Sequence, residues 1–172
     1  MFNRTKLVSL LGVLSVLAWG ALSGAVAATV DLPDGSKLDL EATCPVCGMK
    51  MTHGDVGPAA VVFKDGKVVG FDANGDLFRY VLAPEKYGFE PSAIKNLYVT
   101  DRGTKKFIEA KKAFYVIGTD IEADMGPEPI PFAKKEDAEK FMAEKKGKKV
   151  AGYAEVTVFD LKSAKKTLKM KH

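Results

Sequence analysis

Alternation of apolar and polar positions predicts short strands, turns and a helix in the first half of the chain. Residues 59–64 and 67–71 are apolar, β-branched runs joined by an Asp-Gly pair at 65–66, which predicts a hairpin with a type I′ turn. Residues 76–82 carry apolar side chains at helical spacing, and residues 96–100 again have a strand pattern. The order of elements in this half is therefore strand, strand, helix, strand.

The second half repeats that order. Residues 106–110 and 113–118 form another pair of strand-like runs, with two lysines at the turn between them. Residues 134–146 are acidic at their start and basic at their end, as the dipole of a helix favours, and a strand at 150–159 follows. The side chains expected on the buried face of this helix are Ala138, Phe141 and Met142.

These patterns predict an α+β fold, a tandem repeat of two small ββαβ units. The units follow a signal peptide and a Cys/Met-rich segment. Residues 28–40 are polar with a turn at 33–35, and are expected to be a lead-in more than a core element. The expected divisions are a signal peptide at 1–27, a lead-in and CPVCGM metal-binding segment at 28–57, ββαβ units at 58–101 and 102–160, and a basic tail at 161–172.

The first 27 residues have the three parts of a secretory signal peptide. Arg4 and Lys6 precede an uncharged apolar run at 7–22, and Ala25 and Ala27 occupy the positions that signal peptidase reads. The alternative is a retained anchor helix, but a run of about 16 residues is shorter than the roughly 20 that span a bilayer. We therefore expect cleavage after Ala27, a periplasmic location and no stable membrane insertion.

Composition narrows the class of protein. Hydrophobic residues are 47% and charged residues 28% of the chain, which is ordinary for a globular protein. The formal charge of +4 falls to +2 when Arg4 and Lys6 are removed with the signal peptide, too small an excess to indicate a nucleic-acid partner. No cysteine precedes Cys44, so attachment of a lipid at a new N terminus is not expected.

The string TCPVCGMKMTH at residues 43–53 carries the most informative chemistry. It brings together Cys44, Cys47, Met49, Met51 and His53. Thiolate and thioether ligands favour Cu(I) over harder cations, and a glycine after the second cysteine lets the backbone bend around one ion.

Three interpretations of this string stay open on the residues alone. The two cysteines form a redox disulfide, or half of a structural zinc site, or one or both bind Cu(I) with help from methionine. The glycines and proline that follow prevent the helix of a thioredoxin-like motif. Two cysteines and two histidines supply no second ligand pair for zinc. Met125, in a loop of glycine and proline residues, is a candidate third sulfur ligand, whereas His53 is better explained as a surface residue.

The chain resembles the NosL family of periplasmic accessory proteins of nitrous oxide reductase. The resemblance rests on CPVCGM at 44–49, VVFKDGK at 61–67, GFDANGDLFRY at 70–80, KKAFYVIGTD at 111–120 and MGPEPIPFAKKEDAEKF at 125–141. It implies a Cu(I)-binding chaperone with a tandem ββαβ fold. The ligands implied are Cys47, Met49 and Met125, with Cys44 as a ligand or a disulfide partner.

The resemblance implies a binding protein, not an enzyme, whose partner is an apo copper enzyme such as nitrous oxide reductase. A membrane copper exporter stays open as a further partner. A site shared between two copies of the chain also stays open, because three sulfurs from short loops leave an ion partly exposed. The competing hypothesis is a periplasmic thiol-disulfide reductase acting on the cysteines of a copper client.

Overall fold

The computed structural model describes residues 28–51, 56–123 and 126–162 of the 172-residue chain. Its strands are β1 Thr29–Asp31, β2 Lys37–Asp39, β3 Ala59–Phe63, β4 Val68–Phe71, β5 Ile94–Thr100, β6 Phe107–Glu109, β7 Phe114–Ile117, β8 Glu122–Ala123, β9 Gly126–Pro127, β10 Ile130–Phe132 and β11 Lys149–Gly152. Its helices are α1 Asn74–Val81, α2 Pro84–Tyr87 and α3 Lys135–Glu144, with 3₁₀ turns at Pro91–Ala93, Ala110–Lys112 and Tyr153–Glu155. The predicted signal peptide and the tail beyond residue 162 lie outside the described residues.

The larger sheet has the strand order β4-β3-β5-β6, with every neighbouring pair antiparallel. The predicted hairpin of β3 and β4 is confirmed, but its predicted type I′ turn is wrong. A type I′ turn needs positive φ at both central residues, and here only Gly66 has it, at +89°. Phe63 donates to the carbonyl of Lys67 and accepts from Gly66, which makes a three-residue loop that ends at glycine.

The second sheet has the order β10-β7-β11, also antiparallel. The predicted hairpin between residues 106–110 and 113–118 is wrong. β6 pairs with β5 in the larger sheet, and the 3₁₀ turn Ala110–Lys112 carries the chain to β7 in the other sheet. The sheets therefore divide after β6, later than the expected boundary at residue 101.

The lead-in at 28–40 contributes to the core, contrary to expectation. β1 and β2 form an antiparallel hairpin around the predicted turn at 33–35. Leu32 and Leu38, only 3% and 1% exposed, pack with Met51 against Ala60 and Val62 of β3. The hairpin thus covers one face of the larger sheet, and burial of these leucines stabilises the fold by the hydrophobic effect.

The other face of the larger sheet forms the main core, which both sheets share. Val61 of β3, Leu77 and Phe78 of α1, and Tyr115 and Ile117 of β7 belong to this cluster. The edge of the Phe78 ring meets Tyr115, with centroids 5.1 Å apart. Helix α1 is therefore held between the sheets, and its position depends on residues from both halves of the chain.

Helix α3 packs on the second sheet through the predicted stripe. Ala138 is fully buried, and Phe141 and Met142 are half-buried against the cluster that contains Val116 and Ile130. The predicted strand at 150–159 ends early, at Gly152, because the carboxylate of Glu155 accepts the Gly152 N–H at 2.6 Å and the chain turns there. Among the described residues, no helix is long and apolar enough to cross a bilayer.

Candidate metal site

The two cysteines lie on a tight turn, and a glycine in this turn adopts the backbone conformation that the turn needs. The N–H of Gly48 donates to the carbonyl of Cys44 at 2.9 Å, and the N–H of Cys44 donates to the carbonyl of Met49 at 2.8 Å. Gly48 has a φ of +79°, which L side chains rarely adopt. The expected bend of the Cys-Gly-Met segment, and the absence of a helix there, are both confirmed.

The turn places each thiol against a carboxylate. The Cys44 thiol donates to Oδ2 of Asp76 at 3.5 Å, and the Cys47 thiol donates to Oδ1 of Asp72 at 3.1 Å. Within the described residues, the two sulfurs and one oxygen from each carboxylate all lie within 4.8 Å of one another. Cys44 is fully buried and Cys47 is half-buried, so the cluster opens to solvent on the Cys47 side.

The end of strand β4 and the start of helix α1 position the two carboxylates. Asp72 comes directly after the last residue of β4, and Asp76 lies in the first turn of α1, where the helix dipole favours a negative charge. Asp76 is 1% exposed, and Arg79 one turn later contacts its Oδ1 at 3.0 Å. Arg79 also donates to the carbonyl of Leu161 at 2.9 Å, so the segment after β11 helps to position the guanidinium that pairs with Asp76.

Burial controls the protonation of the thiols. It raises the pKa of both Cys44 and Cys47 above that of a free cysteine, and at Cys47 the hydrogen bond to Asp72 raises it further. Both thiols are therefore protonated at neutral pH in the absence of a metal, and each S–H points at an acceptor.

The geometry fits one soft metal ion between the sulfurs. Two thiolates on opposite sides of an ion lie about 4.6 Å apart for a metal–sulfur bond of about 2.3 Å, the length in zinc thiolates. The two sulfurs lie no more than 4.8 Å apart, so one ion can reach both. Thiolates select Cu(I). The carboxylates of Asp72 and Asp76 are hard donors, and they lie where they accept the thiol protons.

The predicted methionine ligands have different positions. Met49 is half-buried and follows Gly48 in the same turn as the cysteines. Met51 is 5% exposed and packs with Leu38 in the cluster under the β1–β2 hairpin, where it serves as a core residue. Met125 and His53 lie outside the described residues.

Sequence reasoning missed both carboxylates. Asp72 and Asp76 stand in the FDANGD stretch, and the signal available was a pair of acidic residues flanking the start of a helix directly after a buried strand. Glu128, from the segment between β9 and β10, was missed as well. It is 2% exposed, and burial raises its pKa to about 8.

The chain is similar to known copper-binding proteins. The chain is 30% identical over 121 residues to the copper-binding lipoprotein NosL of Stutzerimonas stutzeri, covering 66% of this chain and 60% of that protein. It is 31% identical over 114 residues to the copper-binding lipoprotein NosL of Achromobacter cycloclastes, covering 59% of this chain and 56% of that protein. The matched region is thus less than two thirds of the length of either relative.

A solved structure has a similar fold. The crystal structure of the copper chaperone NosL from Shewanella denitrificans superposes with a TM-score of 0.61 at 30% identity, over 70% of this chain and 93% of that one. The NosL family model matches residues 36–159, a range that contains the cysteine turn, both carboxylates and both sheets. By this match, which covers most of its length, the chain belongs to the NosL family.

Proposed function

We propose that this protein is a periplasmic chaperone that binds one Cu(I) ion at Cys47 and Cys44 and delivers it to an apo-metalloenzyme, nitrous oxide reductase in the first instance. The observation that carries the proposal is the cluster of two thiols and two carboxylates within 4.8 Å. The copper-binding names of the relatives support the same cargo.

Exposure suggests the order in which the sulfurs act. Half-buried Cys47 meets the incoming ion first, and fully buried Cys44 closes on it second. Each thiol loses its proton as the sulfur–copper bond forms, so two thiols and one Cu(I) give a dithiolate complex and two protons. Asp72 and Asp76 already accept hydrogen bonds from the two thiols, so a proton acceptor lies beside each sulfur when it loses its proton.

Delivery reverses these steps. Protonation of the sulfurs restores the hydrogen bonds to the carboxylates, and this stabilises the empty site while the client's own ligands take the ion. We propose Met49 and Met125 as additional sulfur donors; Met49 follows the cysteine turn, and Met125 comes directly before β9 in the sequence. Thioethers are weak donors that hold Cu(I) without preventing its transfer.

The two sheets support a proposal about domain organisation. Three strands of each sheet have the same arrangement, in which the strand that comes first in the sequence lies between the two that follow it. These are β3 between β4 and β5, and β7 between β10 and β11. A helix precedes the third strand in both cases. We interpret these sets as two ββαβ units, the first of which gains β6 at its edge.

The competing reductase hypothesis fits the thiols less well. Reductase cysteines attack as thiolates and have a lowered pKa, usually at a helix N terminus or beside a cation. Burial and the neighbouring carboxylates act in the opposite direction on Cys44 and Cys47. Protonated thiols can still bind Cu(I), because the metal displaces the proton as the sulfur–copper bond forms.

The test is anaerobic titration of the reduced protein with Cu(I) in the presence of a competing chelator. Tight one-to-one binding that disappears in Cys47→Ser and persists, weakened, in Cys44→Ser supports the chaperone. Disulfide exchange that requires both cysteines, together with weak copper binding, contradicts it. Copper transfer to purified apo-nitrous oxide reductase then tests the client, and a client that gains no copper overturns that part alone.

Location and maturation are tested separately. We propose export and cleavage after Ala27, and mass spectrometry of the mature N terminus from a cell-envelope fraction checks both. The relatives are named lipoproteins, whereas the first cysteine of this chain is Cys44, so the same spectrum also reports whether any lipid is attached. Size-exclusion chromatography with and without Cu(I) tests a site shared between two copies.

A further inference from the structure

We propose that Met51 is a positioning residue for the metal cluster. Its side chain fixes the end of the cysteine turn against β4, so that the thiol of Cys47 meets the carboxylate of Asp72. Met51 is 5% exposed and belongs to the hydrophobic cluster under the β1–β2 hairpin. The three residues before it are exposed or half-buried, so Met51 is the first buried side chain after the two cysteines.

The segment that carries the cysteines passes from one face of the larger sheet to the other. Neighbouring residues of a strand point to opposite faces, and in β3 Val61 faces the main core while Ala60 and Val62 face the hairpin cluster. Cys44 belongs to the main core and Met51 to the hairpin cluster. The chain between them therefore crosses at β4, the edge strand of this sheet.

Met51 contacts the strand that precedes Asp72. A Cβ atom at Gly70 of β4 would lie 2.5 Å from Cε of Met51, so the end of the methionine side chain lies directly on the backbone of this glycine. Asp72 comes directly after the last residue of β4 and accepts the thiol of Cys47 at 3.1 Å. The contact thus fixes the segment two residues before the carboxylate that the thiol must reach.

The other contacts near this end of the turn hold it less firmly. The bridge between Thr43 and Lys50 joins the two ends of the turn to each other and not to β4. The ammonium of Lys50 lies 2.9 Å from the carboxylate of Glu41, but the two side chains are 69% and 58% exposed, and exposed ion pairs contribute little. Burial of Met51 is therefore the main attachment of this end to the sheet.

The position of Met51 favours packing over copper ligation. The buried members of its cluster are Leu32, Leu38, Ala60, Val62 and Tyr98, and neither cysteine is among them. Cys44 is a member of the main core, and Cys47 packs against that core. We therefore expect the size and apolar character of the side chain at residue 51 to matter, and its sulfur atom to be dispensable.

The experiment is competition titration of the reduced full chain with Cu(I), for the wild type and three variants. Met51→Ala should lower the Cu(I) affinity by about tenfold or more, the usual cost of losing a group that orients a metal ligand. Met51→Leu keeps the volume and should bind almost as the wild type does. Leu32→Ala removes a buried side chain from the same cluster, outside the cysteine turn, and should keep the wild-type affinity.

Urea unfolding separates positioning from general stability. Met51→Ala and Leu32→Ala should lower the urea midpoint by comparable amounts, because each leaves a cavity in the same cluster. Only the first should lower copper affinity. If either alanine variant lacks the wild-type circular dichroism spectrum, Met51→Val and Leu32→Val, which remove less volume, replace the pair.

A measurement on the apo-protein tests positioning without copper. The hydrogen bond to Asp72 lowers the S–H stretching frequency of Cys47, and loss of the band in Cys47→Ser identifies it in the infrared spectrum. In Met51→Ala this band should move to higher frequency, and in Leu32→Ala it should stay in place. Only the copper part of this proposal rests on the proposed function. A wild type that binds no Cu(I) would refute that function, and the infrared band would still decide the role of Met51.

Three results would overturn the proposal. One is a Met51→Ala variant with the Cu(I) affinity and the S–H band of the wild type. Another is an equal loss of affinity in Leu32→Ala, which would assign the effect to general stability. The third is a Met51→Leu variant that binds copper as weakly as Met51→Ala while its S–H band is unchanged, which would make Met51 a sulfur ligand.

Discussion

Glu128 accepts a hydrogen bond from the backbone N–H of Gly75 at 2.9 Å, and this bond joins the segment before β10 to the first turn of α1. A Cβ atom on residue 75 would lie 2.5 Å from Oε1 of Glu128 and 2.7 Å from Nη1 of Arg79. The absence of a side chain at Gly75 therefore allows the two halves of the chain to meet beside Asp76, which holds the thiol of Cys44.

We predict that Gly75→Ala destabilises the apo-protein by about 1–3 kcal/mol, the usual cost of forcing a methyl group into a packed site. It should also weaken Cu(I) binding, because the ends of the Glu128 and Arg79 side chains must move and Arg79 contacts the carboxylate of Asp76. Urea unfolding followed by circular dichroism measures the first effect. Gly103→Ala is the control, since its Cβ would meet nothing closer than 3.6 Å, and an equally small change in both variants would contradict the prediction.

A second prediction concerns the pH dependence of stability. Burial raises the pKa of Glu128 from 4.5 to about 8. The unfolded chain loses this proton near pH 4.5 and the folded chain keeps it until about pH 8. The folded state therefore binds more protons between those values, and the free energy of unfolding falls as pH rises through this window. Below pH 4.5 the group is protonated in both states and contributes no slope.

Glu128→Gln resembles the protonated form and can still accept the N–H of Gly75. We expect it to match the wild type near pH 5 and to be more stable by a few kcal/mol near pH 9, since one pKa unit corresponds to about 1.4 kcal/mol. Denaturant midpoints measured at several pH values check this. Glu109→Gln, at a side chain 49% exposed, should leave the wild-type slope in place. Parallel slopes for Glu128→Gln and the wild type would rule out a buried, proton-binding carboxyl.

A third prediction uses the thiols. Because the pKa values of Cys44 and Cys47 are raised, both sulfurs must lose a proton when copper binds near neutral pH. The Cu(I) affinity should rise with pH, with a slope of about two decades per pH unit if both sulfurs are ligands. Competition titrations from pH 6 to pH 8 provide the slope.

The same titrations decide the role of Cys44. Cys44→Ser should lower the slope to about one if Cys44 is a ligand, and should leave it unchanged if only Cys47 binds. Asp72→Asn removes the acceptor beside Cys47, but burial, the larger cause, still holds the pKa of that thiol above its ordinary value, so the slope should stay as in the wild type. An affinity that does not vary with pH would exclude thiolate ligation altogether.

Local patterns in the sequence predicted individual elements well, and pairing between distant elements poorly. The β3–β4 hairpin follows from two β-branched runs around an Asp-Gly pair, and the stripe on α3 follows from its spacing. β6 also has a strand pattern, but the pattern does not reveal that its partner is β5 and not β7. Leu32 and Leu38 are isolated among polar residues, so their burial depends on a hairpin that only tertiary contacts stabilise.

Only the cysteines of the candidate site could be predicted from the sequence, and the reason is related. Cysteines are scarce, so two of them in one short string already indicate metal or redox chemistry. Asp72 and Asp76 are two of many acidic residues, and an aspartate in the first turn of a helix is explained by the helix dipole alone. Their role becomes visible only when the sheet brings residues 25 and 32 positions after the cysteines into contact with the thiols.

The last prediction tests Met125 as a ligand from the second half of the chain. The segment that follows it is tied to α1 through Glu128, three residues later, and three residues span at most about 10 Å. This is why we propose Met125 as a donor to an ion held near Asp76, in the first turn of α1. If Met125 supplies a sulfur, copper links the two halves of the fold.

Met125→Leu keeps a similar volume and removes the sulfur, so the apo-protein should melt at nearly the wild-type temperature. Its Cu(I) affinity should fall by tenfold or more. Copper stabilises the folded state by mass action, by about 2.7 kcal/mol at a free concentration one hundred times the dissociation constant, so the rise in melting temperature with copper should shrink in this variant. Met142→Leu, on the half-buried face of α3, is the matched control and should bind copper like the wild type. Equal Cu(I) affinities for Met125→Leu and Met142→Leu would confine the sulfur ligands to the cysteine turn, because a thioether that contributes to the site cannot be removed without cost to binding.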